Sequence, residues 1–181
     1  MKVKEVKSYL LNPGWGKNLL FVKITTDNGL VGWGECYTQS DRDKTIVTHL
    51  EHMSKYLKGR DPFEIKYFNQ IIFDDYASRR GSMEIFSALS GIEQALWDIC
   101  GKETKQPVYN LLGGPSRGKL RVYANGWYAG ALVPEDYAEK AKKTIDKGFT
   151  ALKFDPIPGP FRSIISKNNL EQSIETVRQV M

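Results

Sequence analysis

Cysteine is scarce. Only Cys36 and Cys100 occur among the 181 residues, far apart and without CxxC spacing. Neither a disulfide framework nor a zinc site has the ligands it needs, and both thiols are expected to pack as small hydrophobes. Histidine is equally sparse: His49 and His52 stand three residues apart in an expected helix, without a carboxylate pattern that suggests metal, and read as surface or satisfied core. No apolar run approaches the roughly 18 residues that a membrane-crossing helix requires. The opening residues Met1, Lys2, Val3, Lys4 and Glu5 lack the apolar stretch and cleavage site of a secretory signal. A cytoplasmic address without membrane contact is the default expectation. Also missing is a basic stripe interleaved with aromatics. The net charge is +5, from 26 basic and 21 acidic residues, but the lysines stand among acids, as around Glu139 and Lys140. That pattern is a solvated surface and argues against nucleic-acid binding, while an anionic small molecule is still drawn to a pocket holding one or two cations. With 41% hydrophobic, 26% charged and 12% aromatic residues, the composition excludes collagen-like, coiled-coil and wholly disordered chains.

What is present begins with strands. Residues 3–11 mix β-branched and aromatic side chains with lysines, residues 19–26 are a stronger strand signal, and Asp27, Asn28 and Gly29 supply a tight turn into a third strand at 30–34. A small antiparallel meander follows from this. Between the first two strands, residues 12–18 form a loop rich in turn formers around one large aromatic, Trp15. Ser40 and Asp43 match a capping box before Ile46, Leu50, Met53 and Leu57, which recur at helical spacing until Gly59 and Pro62. A second helix is expected at 62–74 and a third at 83–101. In the third, Leu89, Ile92, Leu96 and Ile99 form an apolar stripe, and Ala88, Gly91 and Ala95 form a small-residue face that another backbone can approach.

The pattern then changes. Residues 120–124 read as a short buried strand. Pro134 opens a helix with Tyr137, Ala141 and Ile145 on one face and Gly148 at its end, residues 149–154 read as a strand, and Asn168 or Asn169 caps a helix through Val180. Gly113, Gly114 and Pro115 read as a linker turn and not a phosphate loop. Strand, helix, strand, helix with crossovers of this length implies parallel pairing. The expected fold class is an α+β domain at 1–117, a three-stranded antiparallel meander plus a helical bundle, followed at 118–181 by the first two β/α units of an incomplete TIM-type barrel. A closed barrel needs eight strands and roughly 250 residues, so the chain reads as an N-terminal fragment whose open strand edges invite other chains.

From Ala88 through Gly91, Glu93, Ala95, Trp97, Asp98 and Gly101, and on through Pro107, Tyr109, Asn110, Gly113 and Gly114, the sequence resembles the mandelate racemase/muconate lactonizing enzyme family of the enolase superfamily. Gly32, Trp33, Gly34 and Glu35 look like that family's third strand. The stretches around Tyr123, Asn125 and Trp127 and around Leu152, Lys153 and Asp155 look most like sugar-acid dehydratases of the gluconate and galactonate kind.

The resemblance implies that residues 1–117 are a capping domain, which lays two loops, 12–18 and 35–40, over the mouth of a modified barrel. It also implies abstraction of the proton α to a carboxylate, the developing charge being held by a magnesium ion and nearby cations. In a dehydratase the neighbouring hydroxyl then leaves and a 2-keto-3-deoxy sugar acid forms. Lys153, at the end of the second barrel strand, matches a family lysine that touches the substrate carboxylate, and Asp155 shares its face of the strand. Many relatives carry a second lysine at that position, so Asp155 counts against two-base racemisation. Its role in proton transfer, hydroxyl binding or orientation of Lys153 is open, as is a plain turn role before Pro156. Trp15, Tyr37, Asn125, Trp127 and Tyr128 are the candidate substrate-facing residues, although each aromatic could equally serve the core. The family's metal carboxylates and histidine base come from later strands, so this chain alone is expected neither to ligate magnesium nor to turn over substrate. The alternatives are a racemase or cycloisomerase of the same family, or an inactive capping-domain fragment that self-associates; a homo-oligomer is expected.

Overall fold

The computed structural model describes residues 1–14, 16–38, 41–157 and 165–181. The chain divides into two compact units, Met1–Ser116 and Arg117–Met181.

In the first unit, β1 (Val3–Leu11), β2 (Leu19–Thr26) and β3 (Val31–Cys36) form an antiparallel sheet in the order β1-β2-β3. The period-two pattern sets which face is covered: Leu20, Val22 and Ile24 of β2 are fully buried, while the residues between them are half-buried. The hairpin closes as its residues demand, with Gly29 at φ +86° and the Thr26 amide donating to the Leu30 carbonyl at 2.9 Å. Helices α1 (Asp43–Leu57), α2 (Ile65–Ile71), α3 (Met83–Thr104) and the short α4 (Val108–Leu111) follow. The predicted stripe Ile46, Leu50, Met53 and Leu57 is buried on α1, and Ile92, Leu96 and Ile99 are buried on α3.

The small-residue face of α3 is where β3 lies. A Cβ placed on Gly34 would stand 2.0 Å from the Gly91 carbonyl oxygen, and one on Gly32 would stand 2.1 Å from that of Ala95. Such closeness lets α3 side chains finish the open edge of β3. Gln94 Oε1 accepts from the Glu35 amide and its Nε2 donates to the Glu35 carbonyl, both at 3.1 Å. One turn later Asp98 accepts from the Trp33 amide at 2.9 Å, and Lys102 donates to the Val31 carbonyl at 2.7 Å. Gln94, Asp98 and Lys102 recur every four residues, so a single helix face satisfies backbone groups that an exposed edge would leave bare.

Several local expectations change. Ser40 lies outside the described residues, and α1 begins at Asp43 with Arg42 as N-cap and no side-chain cap. The Asp43 carboxylate is buried and accepts from Asn18 Nδ2 at 2.7 Å, which takes it away from capping-box duty. The second helix starts at Ile65 instead of 62 because the Asp61 carboxylate holds the Phe63 amide in a turn at 3.0 Å, and it runs on as a π-helical turn, Ile72–Tyr76. Ser82 caps α3. His49 is a satisfied residue: its Nδ1 lies 2.6 Å from the Tyr76 hydroxyl.

In the second unit, α5 (Pro134–Ile145) packs against α6 (Lys167–Val180). Asp136 accepts from the Leu132 and Val133 amides at 3.0 and 3.3 Å, which caps α5 and holds its carboxyl below the usual range. Ala141 and Thr144 are the buried positions of α5, whereas Ile145 is exposed. The cap of α6 is Ser166, whose Oγ accepts from the Asn169 amide at 3.2 Å, and not an asparagine. The expected strands at 120–124 and 149–154 meet in one parallel bridge, Ala124 with Leu152. Only Ala124 is buried there; Leu120 is 75% exposed and Val122 64%. Parallel pairing is the weaker kind, and a two-segment ladder is marginal on its own, in keeping with a single bridge here. Among the described residues no helix is long and apolar enough to cross a membrane.

Candidate functional site

The parallel bridge organises the candidate site of the second unit. The Ala124 amide donates to the Ala151 carbonyl at 2.9 Å and the Lys153 amide to the Ala124 carbonyl at 2.8 Å. Asn125 and Lys153, each one residue past its bridging partner, therefore emerge side by side at the carboxyl ends of the two segments. Both are exposed, as is Asp155. The Lys153 carbonyl accepts from Trp127 Nε1 at 3.0 Å, which ties the loop after Ala124 to the backbone of the lysine. The Asn125 side chain accepts from the Gly126 amide at 3.0 Å, fixing the turn it opens.

Trp127 and Tyr128 have packing partners. Trp127 lies 5.4 Å edge-to-face from Phe154 and 6.3 Å from Tyr137, while Tyr128 stacks on Tyr137 at 5.8 Å. Both are half-buried, so the four rings form a small core that pins α5 to the end of the second segment. Beside them a cleft of about 500 Å³ is lined by Tyr123, Asn125, Trp127, Lys140, Lys143 and Phe149. It brings two of the five substrate-facing candidates, Asn125 and Trp127, next to lysines of α5.

In the first unit, Tyr37 is 57% exposed just past β3. Its backbone carbonyl accepts from Ser87 Oγ of α3 at 2.6 Å, and its hydroxyl accepts from Lys17 Nζ at 2.6 Å, with the ammonium also 4.4 Å from the ring centre. Next to it, Thr38 Oγ1 donates to the Asn18 carbonyl. Residues 17–18 and 37–38 are thus joined within this unit. Trp15 lies outside the described residues. Lys17 and Asn18 escaped the sequence reading; the only signal was their place between a turn-rich loop and the strongest strand. Among the described residues no group of three or more His, Cys, Asp or Glu side chains is placed to hold a metal ion. Burial pushes the Cys36 thiol up to about 12 and the Cys100 thiol to about 11, so neither is a nucleophile near neutral pH.

Comparison with known proteins adds the family context. Residues 16–113 match the family described as "Mandelate racemase / muconate lactonizing enzyme, N-terminal domain". The chain is 38% identical to a D-gluconate/D-galactonate dehydratase of Picrophilus torridus, over 97% of this chain and 46% of that protein. It is 36% identical to a D-gluconate dehydratase of Thermoproteus tenax, over 99% of this chain and 37% of that protein. Among solved structures, a mandelate racemase/muconate lactonizing enzyme from Sulfitobacter sp. superposes with a TM-score of 0.88 at 30% identity, covering 99% of this chain and 49% of that one. The chain spans about half the length, or less, of the relatives it matches.

Proposed function

From the premise that the chain belongs to the mandelate racemase/muconate lactonizing enzyme family, we propose that it is the N-terminal part of a magnesium-dependent dehydratase of sugar acids of the gluconate and galactonate kind. The observation that carries this reading is similarity, over nearly all of this chain but less than half of each relative, to two proteins named for gluconate or galactonate dehydration, with Lys153 emerging beside Asn125 at the ends of two bridged segments. The reaction removes the proton α to the carboxylate, and the hydroxyl on the next carbon leaves as water after taking up a proton. The enol then becomes the 2-keto-3-deoxy acid.

Within this chain, the Lys153 ammonium pairs with the substrate carboxylate, where an oriented charge is worth more than in free solution. Asp155, two residues on along the same segment, binds a substrate hydroxyl or orients Lys153. Asn125 supplies an amide to the sugar chain, and the exposed edges of Trp127 and Tyr128 wall the pocket. In the capping unit, Tyr37 remains the substrate-facing candidate that the family resemblance assigns. Among the described residues no group of three or more His, Cys, Asp or Glu side chains fits a magnesium site, and the family resemblance assigns the ion's ligands and the base to later strands. The dehydratase names of the relatives, together with aspartate in place of a second lysine at 155, favour elimination over racemisation or cycloisomerisation.

The test is a substrate panel on the full-length protein with magnesium. Formation of a 2-keto-3-deoxy acid from gluconate or galactonate is expected. Turnover of mandelate or muconate with none of gluconate overturns the reading.

A further inference from the structure

Asn18 bonds to three different elements. Its side-chain Nδ2 donates to Asp43 Oδ2 at the start of α1 (2.7 Å), its Oδ1 accepts from Asn12 Nδ2 at the far end of its own loop (3.0 Å), and its backbone carbonyl accepts from Thr38 Oγ1 beyond β3. The neighbouring Lys17 reaches the hydroxyl and ring of Tyr37. Asn12 in turn accepts from the Gly14 amide at 2.7 Å. Tyr37 is anchored from below by Ser87 of α3. Asp43 is 3% exposed; Asn18 donates to its Oδ2, and among the described residues its Oδ1 has no hydrogen-bond partner, so losing Asn18 would strip a donor from a buried carboxylate.

From these contacts we infer that Asn12, Lys17 and Asn18 and the segment at 37–38 are one mechanical unit, keyed by Asn18 and Lys17, and that these two are positioning residues. The unit hangs from the start of α1 and the first turns of α3. A displacement of either loop is transmitted to the other through three side chains. Tyr37 is therefore presented in an orientation set by Lys17 on the opposite loop. For its catalytic consequence, the inference rests on the dehydratase reading; for the coupling itself, it does not.

Amide hydrogen exchange on the 181-residue chain tests the coupling. Lys17→Met keeps the aliphatic stem at an exposed position and leaves the core untouched. It is expected to speed exchange at Tyr37 and Thr38, on the loop that was not altered, by about tenfold. Asn18→Ala is expected to do the same, with a lower melting temperature because Asp43 loses its donor. Lys17→Arg restores the slow exchange. Acceleration confined to residues 12–18, with Tyr37 and Thr38 unchanged, overturns the inference. In a gluconate assay of the full-length protein, Lys17→Met is expected to raise KM about tenfold with kcat within about twofold of the parent, because a loosened Tyr37 weakens binding and not the chemical step. An equal fall in kcat with KM unchanged contradicts the positioning role. Failure of the unsubstituted protein to turn over any aldonate sinks the dehydratase reading, and the exchange result still decides the coupling.

Discussion

Gly34→Ala is the sharpest perturbation of the scaffold that carries Tyr37. The new methyl would sit 2.0 Å from the Gly91 carbonyl oxygen and 3.0 Å from the Ala95 amide nitrogen. A comfortable carbon–oxygen contact is about 3.3 Å, so α3 must retreat by roughly 1 Å or more. These neighbours are helix backbone and cannot turn aside as a side-chain tip does. Overpacking of this kind costs about 1–3 kcal/mol. The retreat also strains both Gln94 bonds to Glu35, each 3.1 Å now, and these contribute about 1 kcal/mol apiece. The sum is about 3–5 kcal/mol, a large part of a stability that rarely exceeds about 15 kcal/mol. Urea unfolding of the 181-residue chain, followed by circular dichroism, measures it. Gly59→Ala is the comparator: Gly59 has φ +82° with nothing within 4 Å of its absent Cβ, so it reports backbone strain alone, about 1–2 kcal/mol. Equal midpoints for the two variants refute the close-approach argument. Since β3 leads directly into Tyr37, Gly34→Ala should also disturb the Tyr37 segment, whereas Gly59→Ala should not.

Lys153→Met in the full-length protein is expected to lower kcat/KM for gluconate by about a hundredfold or more, from loss of one oriented charge, without moving the melting temperature; activity within about threefold of the parent removes Lys153 from the site. Cys36 and Cys100 should both resist a thiol reagent at neutral pH and react once the chain is unfolded. Because burial raises the folded Cys36 pKa to about 12, the unfolded chain releases its thiol proton first as pH rises past about 9, so stability is complete below that pH and falls above it, a slope that Cys36→Ala should flatten. Burial lowers the pKa of His49. Its neutral form therefore supports the fold above about pH 6.5, and that contribution is lost as the pH falls below it, an effect that denaturation at pH 5 and pH 8 should show in the parent and not in His49→Gln. Light scattering on the purified chain is expected to show self-association, relieved by Leu120→Ser with Val122→Ser, since both side chains are largely exposed; a monomer at high concentration contradicts this.

Periodicity and turn chemistry were enough for the meander, the stripes of α1 and α3 and the turn at Asp27, Asn28 and Gly29, because each is set by neighbours in sequence. The small-residue face of α3 was legible too, and only its partner, β3, had to be supplied by packing. Tertiary structure decided where bonds between distant residues compete with local ones. Asp43 looked like a capping residue until Asn18, 25 positions away, claimed its carboxylate. Strand signals at 120–124 and 149–154 yielded one bridge, because pairing depends on what covers the strands and not on their own propensity. Trp127 and Tyr128 could be assigned to a pocket or a core from sequence alone, and ring geometry shows both packed with Tyr137 and Phe154. Lys153 stands out only through the family resemblance of its motif, because a lone lysine at the end of an extended segment carries no signal of its own; the fold adds that it is exposed. The Lys17 and Asn18 bridge is not readable, since loop residues carry no periodicity that would say which distant partner they meet.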